Sequence, residues 1–464
     1  MKKKFSFPAD REMASIILTL AWPTMLEQLM QTAVQYIDTA MVGSLGTAAT
    51  AAVGATSTIN WLISSTLSAL SIGFLSFISR SFGSQNEEHA RRIAAQAVVT
   101  ALTVGIFLTV VITSLSGQIP AWMQVDPDIR ELASKYFFVL YLALLPRTAT
   151  IMFGTILRAS GDTKTPMKIG LLVNMINVIL NTLLIYPTQR IRIFSLTFLL
   201  PGAGFGVIGA AMASAIAFAF GGICTTVILW KHPRISPRKQ SFRPDPDILK
   251  PCLKVAFPSV LQMFFTSLGH VCFASMINSL GAVSSAAHTI ANTVESAFYI
   301  PGYGMQTAAA TLAGNAYGAR DKSRLDRLAA IFIPIELTLM LLSSSLLFLF
   351  SPTLIRIFSD NPEVIQLGTT VLRMVAFSEP LYGFSIIVEG MMQGVGRTKR
   401  SFVYNVTGMW LIRNTGTLIC TQFLGLGLIS AWTCMILHNT LVFLLFLRTY
   451  LRGSWNPLKE TEAS

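Results

Sequence analysis

Charge is scarce in this chain. Of its 464 residues only 12% are charged, 22 acidic and 35 basic, while 52% are hydrophobic. A water-soluble protein usually keeps about a quarter of its residues charged to cover its surface. So low a share implies that lipid, not water, faces much of this molecule. Cysteine is also rare. Cys224, Cys252, Cys272, Cys420 and Cys434 are scattered, with no CxxC pair and no metal spacing. They read as buried inert thiols rather than a disulfide framework. The five histidines (His89, His232, His270, His288 and His438) are spread over loops and separate spans. Neither HExxH nor the GxxxxGK[ST] phosphate loop occurs. Metal-dependent hydrolysis and direct ATP drive therefore lack their motifs. The chain is expected to be no enzyme and to carry no cofactor.

What is present is a succession of apolar runs, each long enough to cross a bilayer as a helix, which takes about 20 residues. Backbone in lipid must satisfy its own hydrogen bonds, so spans are helices or closed barrels. The strict alternation of a barrel strand is absent. The first run, 14–41, is too long for a signal segment, and no small-residue cleavage site follows the Lys2-Lys3-Lys4 start. It reads as a retained span. We count about 12 spans, centred near Met30, Leu67, Val104, Leu144, Met175, Phe218, Phe265, Tyr299, Leu339, Ile386, Trp410 and Leu437.

The net charge of +13 sits mostly in alternate loops, not in one patch, so it reads as topology rather than nucleic-acid binding. Basic residues cluster at Lys2–Lys4, at Arg91 and Arg92, at Lys164 and Lys168, through 231–254, at Arg320–Arg327, at Arg397–Arg400 and at Arg448. The intervening loops and their flanks hold fewer. The positive-inside rule then places both termini and the central linker in the cytoplasm of a multi-pass cell-membrane protein.

The chain also repeats itself. Ala21 and Pro23 recur as Ala256 and Pro258, Leu45-Gly46 as Leu280-Gly281, Gly83 as Gly318, Pro127 as Pro362, and Thr163-Lys164 as Thr398-Lys399. Every pair is 235 positions apart (318 less 83, for instance). Six spans per half insert both halves the same way up, as in parallel-repeat transporters. The expected fold is an all-α membrane protein of about 12 helices in two six-helix lobes. The expected boundaries are an N-lobe at 1–231, a proline-rich basic linker at 232–247 and a C-lobe at 248–464.

Ionisable groups inside a span are costly and therefore functional candidates. The first span carries Glu27, Gln31, Gln35 and Asp38. Steps of 4, 4 and 3 put them on one helical face. Such a stripe serves interhelical hydrogen bonds or the handling of an ion or substrate. Asp38 can take up a proton or bind Na⁺, and either would couple cation entry to substrate exit. Asn174, Asn177 and Asn181 share a face of the fifth span, as helix glue or as partners of Asp38. Glu295 precedes Tyr299-Ile-Pro-Gly-Tyr303, a helix break flanked by aromatics that suits an organic cation. Glu389 and Arg413 lie on neighbouring spans as a possible pair, and Glu336 and Arg147 read as local pairs or helix-end residues.

With these residues on the page, the chain resembles the multidrug and toxin extrusion (MATE) family along nearly its whole length. The resemblance rests on Trp22-Pro23 with Asp38-Thr-Ala-Met-Val-Gly43, on Leu157-Arg-Ala-Ser-Gly-Asp-Thr-Lys-Thr-Pro166, on Pro301-Gly-Tyr-Gly304 and on Gly314-Asn-Ala-Tyr-Gly-Ala319. It implies a two-lobed exporter of amphipathic, often cationic drugs and toxins, running in exchange for H⁺ or Na⁺ and expected to be a monomer in the bilayer. Asp38 matches the family's N-lobe acidic cation site, with Asn177 and Asn181 beside it as coupling residues; Na⁺ would sit at Asp38 and Asn177. Asn181 stands where the family commonly has Asp, which favours H⁺. The acidic residue of some members' C-lobe falls at Thr266 here. Glu27, Gln31, Gln35, Glu295, Tyr299 and Glu389 are the expected substrate contacts. The competing reading is a flippase or exporter of a lipid-linked or other amphipathic metabolite, which would need a basic cavity to meet phosphates.

Overall fold

The computed structural model describes residues 7–123, 125–193 and 196–459. The lysines at positions 2–4 lie outside them. Helices follow in the order α1 (Phe7–Gly43), α2 (Thr47–Gly83), α3 (Glu87–Ser114), α4 (Ile119–Trp122), α5 (Pro127–Leu142), α6 (Leu144–Ala159) and α7 (Lys164–Ile185). A hairpin of β1 (Pro187–Ile193) and β2 (Leu196–Ala203) comes next, then α8 (Gly206–Lys231). The second half runs through α9 (Pro246–Asn278), α10 (Ala282–Gly318), α11 (Lys322–Arg356), α12 (Pro362–Ala376), α13 (Glu379–Gly394) and α14 (Thr398–Thr407). A π-helical turn at Gly408–Asn414, the short α15 (Thr415–Leu418) and a second π turn at Ile419–Phe423 continue α14, and α16 (Leu428–Leu451) follows.

Among the described residues, eight helices are long and apolar enough to cross a membrane, and ten spans result if each bent pair counts as one. The bent pairs are α5–α6, at 49°, and α12–α13, at 50°. All twelve expected centres fall in this helical series; Leu144 marks the bend of the fourth span. The 37-residue α10 is rich in Ala, Gly, Ser and Thr, so its apolar character is weaker than its length.

The 235-residue offset is visible in the helix bounds. α2 and α10 begin at Thr47 and Ala282 and end at Gly83 and Gly318; α3 and α11 begin at Glu87 and Lys322. The caps repeat too. Asp126 accepts from Asp128 N (3.0 Å) at the start of α5, and Asn361 accepts from Glu363 N (2.9 Å) at the start of α12, each just before a proline at the first helical position. Both bends fall at equivalent places, Ala143 and Ser378. The offset ends after the fifth span of each half, where the first half inserts the β1–β2 hairpin and the second passes to α16 within a few residues.

The chain forms two compact units. One contains α1 up to Gln28, the Leu75–Asn86 end of α2 and everything from Lys250. The other contains Leu29–Phe74 and Glu87–Leu249. They follow the sequence halves except where α1 and α2 contribute to both. The core of the first unit gathers Ile17, Ala21, Met305, Phe332 and Met391. That of the second gathers Leu67, Phe137, Tyr141 and Ala211. Inside the second unit the linker lies on the start of α3. Gln96 Nε2 donates to Arg243 O (2.9 Å), Asp245 N donates to Gln96 Oε1 (3.0 Å), and Arg92 pairs with Asp245 at 3.1 Å. Trp230 and Phe242 stack at 6.1 Å.

Candidate functional site

The structure brings Asp38, Asn177 and Asn181 together. α7 presents Asn177 and Asn181 one turn apart, so both amides face the same way. Asn181 Nδ2 donates to Asp38 Oδ1 at 2.6 Å and to Asn177 Oδ1 at 3.1 Å. Asn177 reaches Ser214 of α8 at 3.0 Å. With the Asn177 amide turned over, its nitrogen also donates to Asp38, at 2.9 Å from Oδ1, and its oxygen accepts from Ser214. Asn177 and Asn181 are buried and Asp38 is partly so. The carboxylate is therefore held by neutral amides. Ser214 was not singled out from the sequence, because one hydroxyl in an apolar helix gives no signal. The rest of the α1 stripe is more open: Glu27 is partly buried, and Gln31 and Gln35 are exposed.

The first-half unit also holds a partly buried cation. Arg147 of α6 donates to Asn60 and Ser64 of α2, and its guanidinium lies 4.7 Å from the Phe218 ring centre. At the repeat offset, Asn60, Ser64 and Arg147 correspond to Glu295, Tyr299 and Tyr382.

In the other unit, α10 and α13 face each other through those very positions. Steps of 4 align Glu295, Tyr299 and Tyr303 on α10; steps of 3, 4 and 3 align Glu379, Tyr382, Ile386 and Glu389 on α13. Glu295 and Glu379 are both buried and bear electrostatically on each other. The Tyr299 and Tyr382 rings meet edge to face at 5.6 Å, and the Tyr303 and Tyr382 hydroxyls are 2.7 Å apart. Glu389 accepts from Gln262 of α9 at 2.8 Å, so the suggested pairing with Arg413 is not formed; Arg413 lies 4.1 Å over the Phe273 ring and bears electrostatically on Glu295. Thr266 turns its hydroxyl back to Gln262 O of its own helix, at 2.7 Å.

Two acids differ from their sequence reading. Glu336 is no helix-end residue: it is 0% exposed within α11, and neither carboxyl oxygen has a hydrogen-bond partner. Glu379, beside Pro380 at the start of α13, is a buried acid outside the set expected from the sequence. Its 3-4-3 spacing through Tyr382 and Ile386 to Glu389 puts it on one helical face with them, and that was the available signal. Among the described residues no group of three or more His, Cys, Asp or Glu side chains is placed to hold a metal.

Long apolar helices, a doubled six-span plan and buried carboxyl groups within the spans define a multi-pass membrane transporter. The MatE family profile matches residues 23–183 and again 258–418, and the chain belongs to that family. The two matches are themselves displaced by 235, both as 258 less 23 and as 418 less 183. The probable multidrug resistance protein NorM of Thermotoga maritima is 26% identical over 444 residues, 96% of this chain and 93% of that protein. The probable multidrug resistance protein YpnP of Bacillus subtilis is 24% identical, over 91% of this chain and 92% of its own. A MATE crystallised in complex with MaD3S shares the fold with a TM-score of 0.87, at 24% identity over 97% of each chain. A transporter of the MOP superfamily from Pyrococcus furiosus, described as having a binding pocket of reverse polarity, gives 0.86 at 24% identity over 96% of this chain and 97% of its own.

Proposed function

We propose that this protein exports amphipathic, often cationic drugs and toxins across the cell membrane in exchange for a cation, by alternating access between its two lobes. The lobes of this reading are the sequence halves 1–231 and 248–464, joined through 232–247, with both termini cytoplasmic. The observation that carries it is the Asp38 carboxyl group, held by the neutral amides of Asn181 and, in one orientation, Asn177. Neutral donors position the group without cancelling its charge, so a cation can be gained and lost there.

The coupling ion of this reading is H⁺. Amide nitrogens point at Asp38, whereas a Na⁺ site needs several oxygens directed at one point; Asn181 also removes a second carboxylate. Glu27, Gln31 and Gln35 are the proposed substrate contacts of α1, and Tyr299, Glu295 and Glu389 those of the second half. The printed names of the NorM and YpnP relatives support a multidrug substrate range. The flippase reading loses support, because Arg147 is engaged by Asn60 and Ser64 and Arg413 by Phe273 and Glu295.

Purified protein in liposomes, given separate pH and Na⁺ gradients, tests this with a fluorescent lipophilic cation. Movement driven by the pH gradient and lost in Asp38→Asn is expected. Movement that follows only Na⁺ overturns the choice of ion, and undiminished transport by Asp38→Asn overturns the site.

A further inference from the structure

The segment between α8 and α9 carries charge that the Asp38 cluster does not use. Positions 231–243 hold Lys231, Arg234, Arg238, Lys239 and Arg243 and no acidic residue. Arg234 is matched by Glu87 of α3, at 2.7 Å. Lys231, Arg238, Lys239 and Arg243 are exposed, and none of the four is in an ion pair among the described residues. The segment is no loose strap. Arg91 donates to Arg234 O (3.1 Å) and to Pro233 O (3.0 Å), and Ser236 Oγ donates to Trp230 O (2.6 Å). Gln96 holds the backbone at Arg243 and Asp245. Prolines at 233, 237, 244 and 246 fix four more backbone angles. The charges are thus placed before any ligand arrives, which lowers the ordering cost of binding one.

We propose that this segment and the start of α3 form a headgroup site for an anionic phospholipid. A cavity of about 300 Å³ opens between them, with Arg92, Gln96, Gln240, Ser241, Arg243 and Asp245 in its lining. That volume is at the lower end for small-molecule sites. The acid in the lining is already balanced: Asp245 pairs with Arg92 at 3.1 Å and accepts from Asp247 N at 3.0 Å. Arg243 is left with its charge uncompensated, and Lys239 precedes the lining residues Gln240 and Ser241 in the chain. A guanidinium beside amide and hydroxyl donors suits the oxygens of a phosphate.

The surroundings favour a lipid over a free phosphate. Trp230, in the last turn of α8, stacks on Phe242 at 6.1 Å, and Phe242 is 42% exposed. Aromatic side chains at the end of a span sit at headgroup level, which sets the neighbouring cavity at the depth of the lipid phosphates. A soluble phosphate has no use for the open Phe242 ring, whereas a lipid lays its glycerol and first methylenes on it. Basic clusters next to a span attract anionic lipid by the same charge. The site needs only that α8 crosses the bilayer, whatever the protein exports. At the repeat offset Gln96 corresponds to Ile331, so the clasp that shapes the cavity belongs to the first half.

Native mass spectrometry of the full-length protein in detergent, titrated with phosphatidylglycerol or phosphatidylcholine, tests the site without any transport assay. One phosphatidylglycerol should bind more tightly than phosphatidylcholine, and its affinity should fall as salt is raised. Lys239→Gln and Arg243→Gln should each weaken it about fivefold, with melting midpoints retained, since both side chains are exposed. Phe242→Ser should weaken phosphatidylglycerol while leaving the much weaker binding of glycerol phosphate unchanged. Lys135→Gln, which removes a charge paired with Glu131 on α5, should change nothing. Equal affinity for the two lipids overturns the proposal, as does phosphatidylglycerol binding that is unchanged at low salt when Lys239→Gln and Arg243→Gln are combined. Glycerol phosphate that binds as tightly as phosphatidylglycerol, with no effect of Phe242→Ser, overturns the lipid in favour of a soluble anion.

Discussion

Gly83 and Gly318, equivalent across the repeat, make the same close contact in exchange. A Cβ on Gly83 would fall 1.9 Å from the carbonyl oxygen of Asn315; one on Gly318 would fall 2.0 Å from that of Arg80. Each glycine thus packs on the residue three before the other. The end of α2 is fastened further here: Ser76 donates to Gly394 O at 2.7 Å, and Arg80 lies between the Phe77 and Tyr317 rings, 4.8 Å from each centre.

Alanine at either glycine should therefore destabilise. Overpacking against backbone costs about 1–3 kcal/mol. Gly83→Ala and Gly318→Ala should each lower the thermal unfolding midpoint in detergent. Gly117→Ala, with open space around it, should leave it unchanged and serves as the control.

Asn181 should matter to coupling beyond its role in packing. Asn181→Leu keeps an apolar volume but removes the donor 2.6 Å from Asp38. A hydrogen bond to a charged group is worth about 1.5–3 kcal/mol, so gradient-driven transport is expected to fall about ten- to a hundredfold. Asn181→Asp should instead shift the pH at which transport is half-maximal, because it places a second carboxyl group against the first. Measured pH profiles of the two variants separate these effects.

The Gln262–Glu389 bond is amenable to a double-mutant cycle. Gln262→Leu removes a donor that lies 2.8 Å from the Glu389 carboxyl group, at a cost of about 1–3 kcal/mol. Adding Glu389→Leu should recover part of that loss, since both partners are then apolar. Chemical denaturation of the three variants gives the coupling energy.

On the linker, two neighbouring contacts should differ. The Arg92–Asp245 pair is solvated, with Arg92 52% exposed, so Arg92→Ala should change stability by less than about 1 kcal/mol. Gln96 is buried and holds the backbone on both sides of Pro244. Gln96→Ala should release the segment and speed its limited proteolysis, while Arg92→Ala should not.

Much of the fold was readable because lipid imposes simple rules. All twelve expected centres fall in helical segments, and the repeat offset carried helix starts, caps and bends from one half to the other. The β1–β2 hairpin was missed: its strands are short, and their apolar residues merge with the flanking spans. The π turns leave no mark in composition. The Asp38 cluster was legible because helical spacing aligns residues on one helix and α7 offered a matching face. Glu336 was misread, and Glu379 left out, for a different reason. Whether a carboxyl group has a partner depends on neighbours from other helices, and nothing in α11 alone says that Gly302 and Gly383 open a space for one.

Arg147 and Tyr382 occupy the same place in the two halves, the first bonded to an amide and a hydroxyl, the second set among acids. A chain assembled from two first halves would hold a second guanidinium and lack Glu295 and Glu379; one assembled from two second halves would lose Arg147 together with Asp38. Neither hybrid keeps the charges the natural chain balances. Each half therefore supplies ionisable groups that the other lacks, and neither could stand in for its counterpart.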